Sequence, residues 1–301
     1  MKIGRIDLDG AGSPTALVTR ILKLEPALKP PIPIEQLAKQ LDIEAIRDLE
    51  TEAFEGGLLT DENRQSGIIL VNREARGGRR RFTVGHELGH FLIMAHKPVK
   101  EGEFLCSRRD MSRWSVKEND RYAQMEYEAN QFASLMLMPP PMLRSYLNGK
   151  APDLSDIERI ANDFGASKDA AARSYAMHHH ERIAIVVVKD GQPVRYYQSP
   201  RFPFITAPLK KPVPAGTVFH RPKLQIRSAS DIVETLPDNW LSVYRGQRAP
   251  TLYEQVYLQA NGFALIMLWV ETEDEQDEFV DRDADRTAKE RLADRLARWR
   301  S

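Results

Sequence analysis

The sequence predicts an α+β fold, and three observations carry that reading. Apolar residues recur at three- and four-residue spacing in several stretches of the first 180 residues. Short aliphatic and β-branched runs lie among them. After residue 181 the chain changes character: the run 183–188 opens a series of extended stretches, with loops marked by prolines at 200, 203, 208, 212 and 214. Three regions are expected: a first domain over 1–147, a helix-turn-helix-like helical segment over 148–180, and a separate sheet-rich domain over 181–301.

Composition narrows the function classes. With 43 basic and 43 acidic residues, the formal net charge of zero gives no global electrostatic case for nucleic-acid or membrane binding. A chain of 301 residues with 42% hydrophobic content can bury a core without disulfides, and its single cysteine, Cys106, cannot form one internally. The first residues lack the apolar core of a signal peptide, and the longest apolar run, Phe263–Val270, is far short of a membrane span. A cytoplasmic location and no membrane partner are the expectations.

In chain order, residues 14–24 read as a helix with Ser13 as N-cap, and Ile34–Gln40 as a shorter one after the proline cluster at 30, 31 and 33. Residues 42–49, 54–59 and 66–72 read as strands. The third of these is expected to lend its edge to an extended peptide, through Ile68, Ile69 and Leu70. The basic run 76–81 reads as a solvated connection.

The stretch that follows carries the chemistry. His86-Glu87-Leu88-Gly89-His90 is an H-E-x-x-H pattern. On a helix, positions four apart share one face, so both imidazoles can reach one zinc ion, while Glu87 can take a proton from a water bound to it. Gly85 costs the helix some propensity and nothing else is expected of it. Catalytic zinc normally has a third protein ligand. The next strong helix, 118–138, offers Glu126 and Glu128. They lie roughly 200° apart around a helix at 100° per residue, so both cannot face one metal. Glu126 belongs to the apolar stripe and is the third ligand; Asn130, one turn on, is placed to accept the free ring N–H of a zinc histidine. Between the two helices, residues 97–119 read as a polar connection in which Cys106 is incidental, although zinc accepts sulfur. His96, Tyr122 and Arg108 are all candidates for stabilising an oxyanion.

RRRFTVGHELGHFL followed by EYEANQFASLMLMP resembles the ImmA/IrrE-type zinc metallopeptidases. Arg81, Phe82 and Thr83 match the lead into H-E-x-G-H, and Glu126, Ala129, Asn130, Phe132, Ala133, Met138 and Pro139 match the second motif. The resemblance covers roughly residues 50–140. It implies a zincin-like domain, a gluzincin-like endopeptidase activity with Zn2+ as cofactor, and a protein substrate. In some members that substrate is a DNA-binding repressor with a helix-turn-helix, cleaved to derepress stress or mobile-element genes.

Beyond this region, Ser155-x-x-Glu158 reads as a capping box, and residues 155–178 as helix, glycine-containing turn and helix. The alternative function, a transcription regulator that binds DNA here and keeps the peptidase fold as scaffold, needs basic residues on the second helix. Only Lys168 and Arg173 supply them, so a packing or docking unit is favoured. His178 to His180 read as a polar helix end. Strands are expected at 183–188, 194–198, 217–219, 240–244, Leu252–Leu258 and Phe263–Val270, the last two joined at Asn261-Gly262. Leu292, Leu296 and Trp299 suggest a C-terminal helix. Nothing in these residues names a ligand for this regulatory or sensor-like region.

Overall fold

A computed structural model describes residues 1–271 apart from 52, 99, 113, 115–119 and 243–248. The expected C-terminal helix lies outside the described residues. The chain divides into two compact units, Met1–His180 and Glu181–Ser301. Helices and two sheets are mixed along it, as an α+β chain requires.

In the first unit, α1 (Pro14–Leu24) starts where Ser13 accepts a bond from the Ala16 amide, with Pro14 at the first helical position. Then come α2 (Ile34–Gln40), β1 (Ile43–Leu49), β2 (Gly56–Thr60), β3 (Gly67–Asn72) and α3 (Gly77–Leu92). Next are β4 (Glu103–Cys106), α4 (Arg121–Leu137), α5 (Pro140–Leu147), α6 (Ser155–Asp163) and α7 (Lys168–His178). The sheet order is β1-β3-β2-β4, with β1 parallel to β3 and the other pairs antiparallel. Leu58 pairs with Ile69, and both are fully buried in the core beneath α3, with Val84, Leu88 and Phe91 from the helix.

Several boundaries differ from the sequence reading for identifiable reasons. The basic run 76–81 is not a loop. It forms the first turns of α3 because acids elsewhere receive its charges: Arg79 pairs with the buried Glu55, and Arg80 with Glu35 and Asp48, each at 3.0 Å. The polar connection 97–119 contains β4, whose Phe104 and Cys106 alternate inward. Proline stops α4 and at the same time starts α5, where its missing N–H has no partner to lose. The capping box does not form. Ser155 is already helical, and its amide is taken by Asp153 Oδ1 at 2.7 Å.

The second unit is a five-stranded antiparallel sheet in the order β6-β5-β9-β8-β7. Its strands are β5 (Arg182–Lys189), β6 (Gln192–Gln198), β7 (Val233–Thr235), β8 (Leu252–Leu258) and β9 (Phe263–Val270). Asn261 and Gly262 both take positive φ in the β8–β9 turn, the geometry that an Asn-Gly pair accepts. The expected strand at 217–219 is instead a 3-10 turn, Val218–His220. At 240–244 only the Leu241 bridge to Ile205 is found among the described residues, and 243–244 lie outside them. Trp240 is fully buried and donates to Glu254 at 3.2 Å. Among the described residues no helix is long and apolar enough to cross a membrane.

Candidate metal centre

Residues 83–92 of α3 are buried on every side, although they include two histidines and a glutamate. Such a helix is stable only if its polar groups find partners, and the crossing with α4 supplies them. The contact is made by small residues. A Cβ on Gly85 would lie 3.3 Å from Ala133 Cα, and one on Gly89 would lie 3.2 Å from Ala129 Cα. Gly85 therefore has a packing role beyond its helix propensity: it lets the two backbones approach until the His86 and His90 side chains meet Glu126 and Asn130.

His86 Nδ1 contacts Asn130 Oδ1 at 2.9 Å, while the Asn130 amide nitrogen donates to the Asp110 carbonyl at 2.8 Å. That second bond fixes the amide, so its oxygen faces the ring and His86 carries its proton on Nδ1. His90 is held differently. Its Nδ1 lies 3.1 Å from His96 Nδ1, and His96 Nε2 lies 3.0 Å from Glu128 Oε2. Burial, then the neighbouring His90, hold the His96 pKa down at about 3, so His96 is neutral and can pass a hydrogen bond from His90 to Glu128.

Both Nε2 atoms are thereby left with lone pairs that face each other at 3.0 Å. Glu126 adds its carboxylate, 3.3 Å from His86 Nε2 and 3.6 Å from His90 Nε2. Burial opposes ionisation of Glu126, but the two imidazoles outweigh it and hold its pKa below the ordinary carboxylate value. Burial brings the His90 pKa down to about 4. Cys106 Sγ completes the group at 3.6 Å from His90 Nε2. The ligating atoms of His86, His90, Cys106 and Glu126 all lie within 4.8 Å of one another, and all four residues are buried.

Burial opposes protonation of His86, but Glu126 outweighs it and raises the His86 pKa, so the site calls for positive charge between its donors, which a metal ion in place of that proton would supply. The donor set therefore fits a metal ion, and its imidazole, carboxylate and sulfur donors are those zinc accepts. Glu87 is fully buried beside the cluster, and burial raises its pKa to about 8. Its Oε1 has no hydrogen-bond partner, and Gly56 of β2 passes so close that a Cβ there would lie 2.7 Å from it.

Some of what positions this centre is silent in the sequence. Arg64 in the β2–β3 turn is 6% exposed, and its guanidinium donates to the carbonyls of His90 at 2.8 Å, Ile93 at 2.9 Å and His96. These include acceptors that the end of α3 leaves unpaired, and a cation there also opposes the helix dipole. Arg64→Met is expected to lower the unfolding free energy by about 3 kcal/mol or more, from three charge-assisted bonds lost among buried groups. Urea unfolding checks it; a loss below about 1 kcal/mol would show that the cap is dispensable. The chain holding His90, through His96 to Glu128, was also not anticipated. Both partners are titratable, but only tertiary contact brings them together.

Other expectations are redirected. Ile68, Ile69 and Leu70 cannot offer a free sheet edge, because β3 is paired to β1 on one side and β2 on the other. The open edge beside the centre belongs to β4, which among the described residues pairs only with β2. Of the three oxyanion candidates, His96 is behind His90 and Arg108 Nε bonds to Glu55 at 2.9 Å. Tyr122 remains. Burial raises its pKa, followed by the charges of Glu126 and Asp110, so it lies within the field of the centre. On α7, Lys168 pairs with Glu158 at 2.7 Å, and Arg173 bonds Ser134 at 2.9 Å while stacking on Trp114. The α6–α7 turn meets the start of α3, where Arg81 Nε donates to the Gly165 carbonyl at 3.0 Å.

Fold and cluster together define an α+β unit with a buried H-E-x-x-H centre that could hold a metal ion. Residues 38–175 match the Peptidase_M78 family model, described as the IrrE N-terminal-like domain. That segment, under half of the chain, is similar to the ImmA/IrrE-type family. The "Radiation response metalloprotease IrrE" of Deinococcus radiodurans is 27% identical over 134 residues, which are 44% of this chain and 37% of that protein. The match thus spans little more than a third of that relative's length. A "Mycobacterium tuberculosis transcriptional regulator" is similar in structure with a TM-score of 0.48, at 12% identity over 84% of this chain and 86% of that one.

Proposed function

We propose that the chain is a zinc-dependent endopeptidase with a zincin-like catalytic unit, acting in the cytoplasm on a protein substrate. One observation carries this reading: an unpartnered, buried Glu87 carboxylate oxygen lies beside two histidine nitrogens and a carboxylate that converge on one point. His86, His90 and Glu126 would hold the ion. Bound zinc supplies a Lewis acid that acidifies water and polarises a peptide carbonyl. Asn130 and His96 keep both Nε2 lone pairs aimed inward. Glu87 takes a proton on Oε1 and returns it to the leaving amine. Tyr122, one helical turn before Glu126, donates to the developing oxyanion.

The named relative is a radiation response metalloprotease. On that likeness, and on the family resemblance, the substrate class proposed is a DNA-binding repressor with a helix-turn-helix, whose loss derepresses stress or mobile-element genes. Lys168 and Arg173 are engaged within their own unit, which supports a packing role for α7 over a DNA-reading one.

The purified full chain is expected to carry about one zinc per molecule by elemental analysis. Dialysis against a chelator should abolish cleavage of candidate repressors, and added zinc should restore it. A chain that neither retains nor takes up zinc would overturn the reading.

A further inference from the structure

The Cys106 thiol is the one donor of the cluster that the proposed peptidase chemistry does not use. It is also the element that decides whether the centre is open. Catalytic zinc keeps one position for water, whereas a fourth protein ligand closes the site. With bonds of ~2.0–2.3 Å, a tetrahedral ion needs its donors ~3.3–3.8 Å apart. The separations here are 3.0 Å between the two Nε2 atoms, 3.3 and 3.6 Å from these to Glu126, and 3.6 Å from His90 Nε2 to Cys106 Sγ. The Nε2 pair is tighter than this, but the sulfur's 3.6 Å to His90 falls in the range together with the two Glu126 separations, and all four donor atoms lie within 4.8 Å of one another.

Two further observations point to a ligand at this place. Glu87 Oε1 and Glu126 Oε2 are both buried and lack hydrogen-bond partners. Cys106 itself is 1% exposed, at the inner end of β4, opposite Gly56 in the register. A buried thiol among apolar side chains would be ordinary core, but this one has a metal-type donor set on one side and Glu87 on the other.

We propose that Cys106 is a fourth metal ligand, so that the resting centre is closed by two histidines, Glu126 and a thiolate, and opens to water only when the sulfur withdraws. This rests on the metallopeptidase reading. As the divalent ion enters, the Sγ–H proton passes to Glu87 Oε2, 3.8 Å away, and a sulfur lone pair forms the new bond. No electron is transferred and no oxidant is needed. Withdrawal of the sulfur reverses the step. Its carrier, β4, is a four-residue strand paired only to β2 among the described residues, so moving it breaks one ladder.

Cobalt(II) substitution of the full-length protein tests this without relying on activity. Cys106 is the single cysteine of the chain, so a thiolate-to-cobalt charge-transfer band in the near ultraviolet can only come from it. The band is expected in wild type and absent from Cys106→Ser, and a chelator competition should show zinc held at least tenfold more weakly in the variant, the lower bound of what an outer partner costs at ~10–100-fold. Cys106→Ser should also cleave substrate faster than wild type. Cobalt uptake without the band overturns the proposal and leaves the peptidase reading standing. No uptake of cobalt or zinc overturns both. Should the serine variant fail to fold, the wild-type spectrum alone decides.

Discussion

Glu126→Ala is expected to strip the protein of its metal. The carboxylate is 1% exposed and, among the described residues, is the one carboxylate that lies within 3.6 Å of both histidine Nε2 atoms. Without it, a divalent ion would be buried against two neutral imidazoles and the Cys106 sulfur, with the carboxylate's share of its charge uncompensated. Zinc affinity should fall by far more than the ~10–100-fold that loss of an outer-shell partner costs. Glu128→Ala supplies the comparison. Glu128 contacts His96, which contacts His90, so it would act on a bound ion only through that chain, and its loss should fall within that ~10–100-fold range. Zinc stoichiometry and competition titration of both variants measure this. Equal losses, or a larger one for Glu128, would remove Glu126 from the ligand set.

That contrast shows how much of the centre could be read from sequence. Helical geometry alone separates Glu126 from Glu128, and it puts Asn130 one turn on, where the structure has it bonded to His86. Punctuation was equally legible. The bounds of α1, α2, α7, β8 and β9 coincide with the stretches read from apolar spacing and turn residues. What failed was pairing across distance. Strand β4 has only three apolar residues, Phe104, Leu105 and Cys106, to mark it, and its strand character comes from β2, more than forty residues earlier in the chain. The edge assigned to Ile68, Ile69 and Leu70 failed for the same reason, since nothing in a strand's own residues says whether both its ladders are filled. Arg64 lies in the turn between β2 and β3, and the sequence reads Arg79 and Arg80 as part of a solvated run. Each is tied to partners between 24 and 45 residues away. Charge patterning shows which residues carry charge, but the fold decides whether the charge meets solvent or a buried partner. Cys106 was read as incidental because a lone thiol in a polar stretch usually is; only burial beside His90 and Glu87 alters that.

The second large effect expected is on Glu87→Gln, which should lose about 10²–10⁴ in kcat, the range of a positioned acid–base group, while binding zinc as wild type does. The residue touches the site without belonging to the donor set: it is not one of the four residues whose atoms converge, and its Oε1 is free. Glutamine keeps the length, the burial and the ability of one oxygen to accept the Cys106 thiol, so the fold around Gly56 and α3 has no reason to change. It cannot take a proton, and that is the one property removed. Burial makes this loss more telling. With its pKa raised to about 8, the wild-type carboxyl binds and releases protons near neutrality, where an exposed glutamate would stay ionised. A steady-state comparison on a cleaved substrate should therefore show kcat falling with KM nearly unchanged. If kcat were retained, proton transfer would have to be assigned elsewhere. If zinc were lost together with activity, Glu87 would be acting on the metal site and not on the substrate.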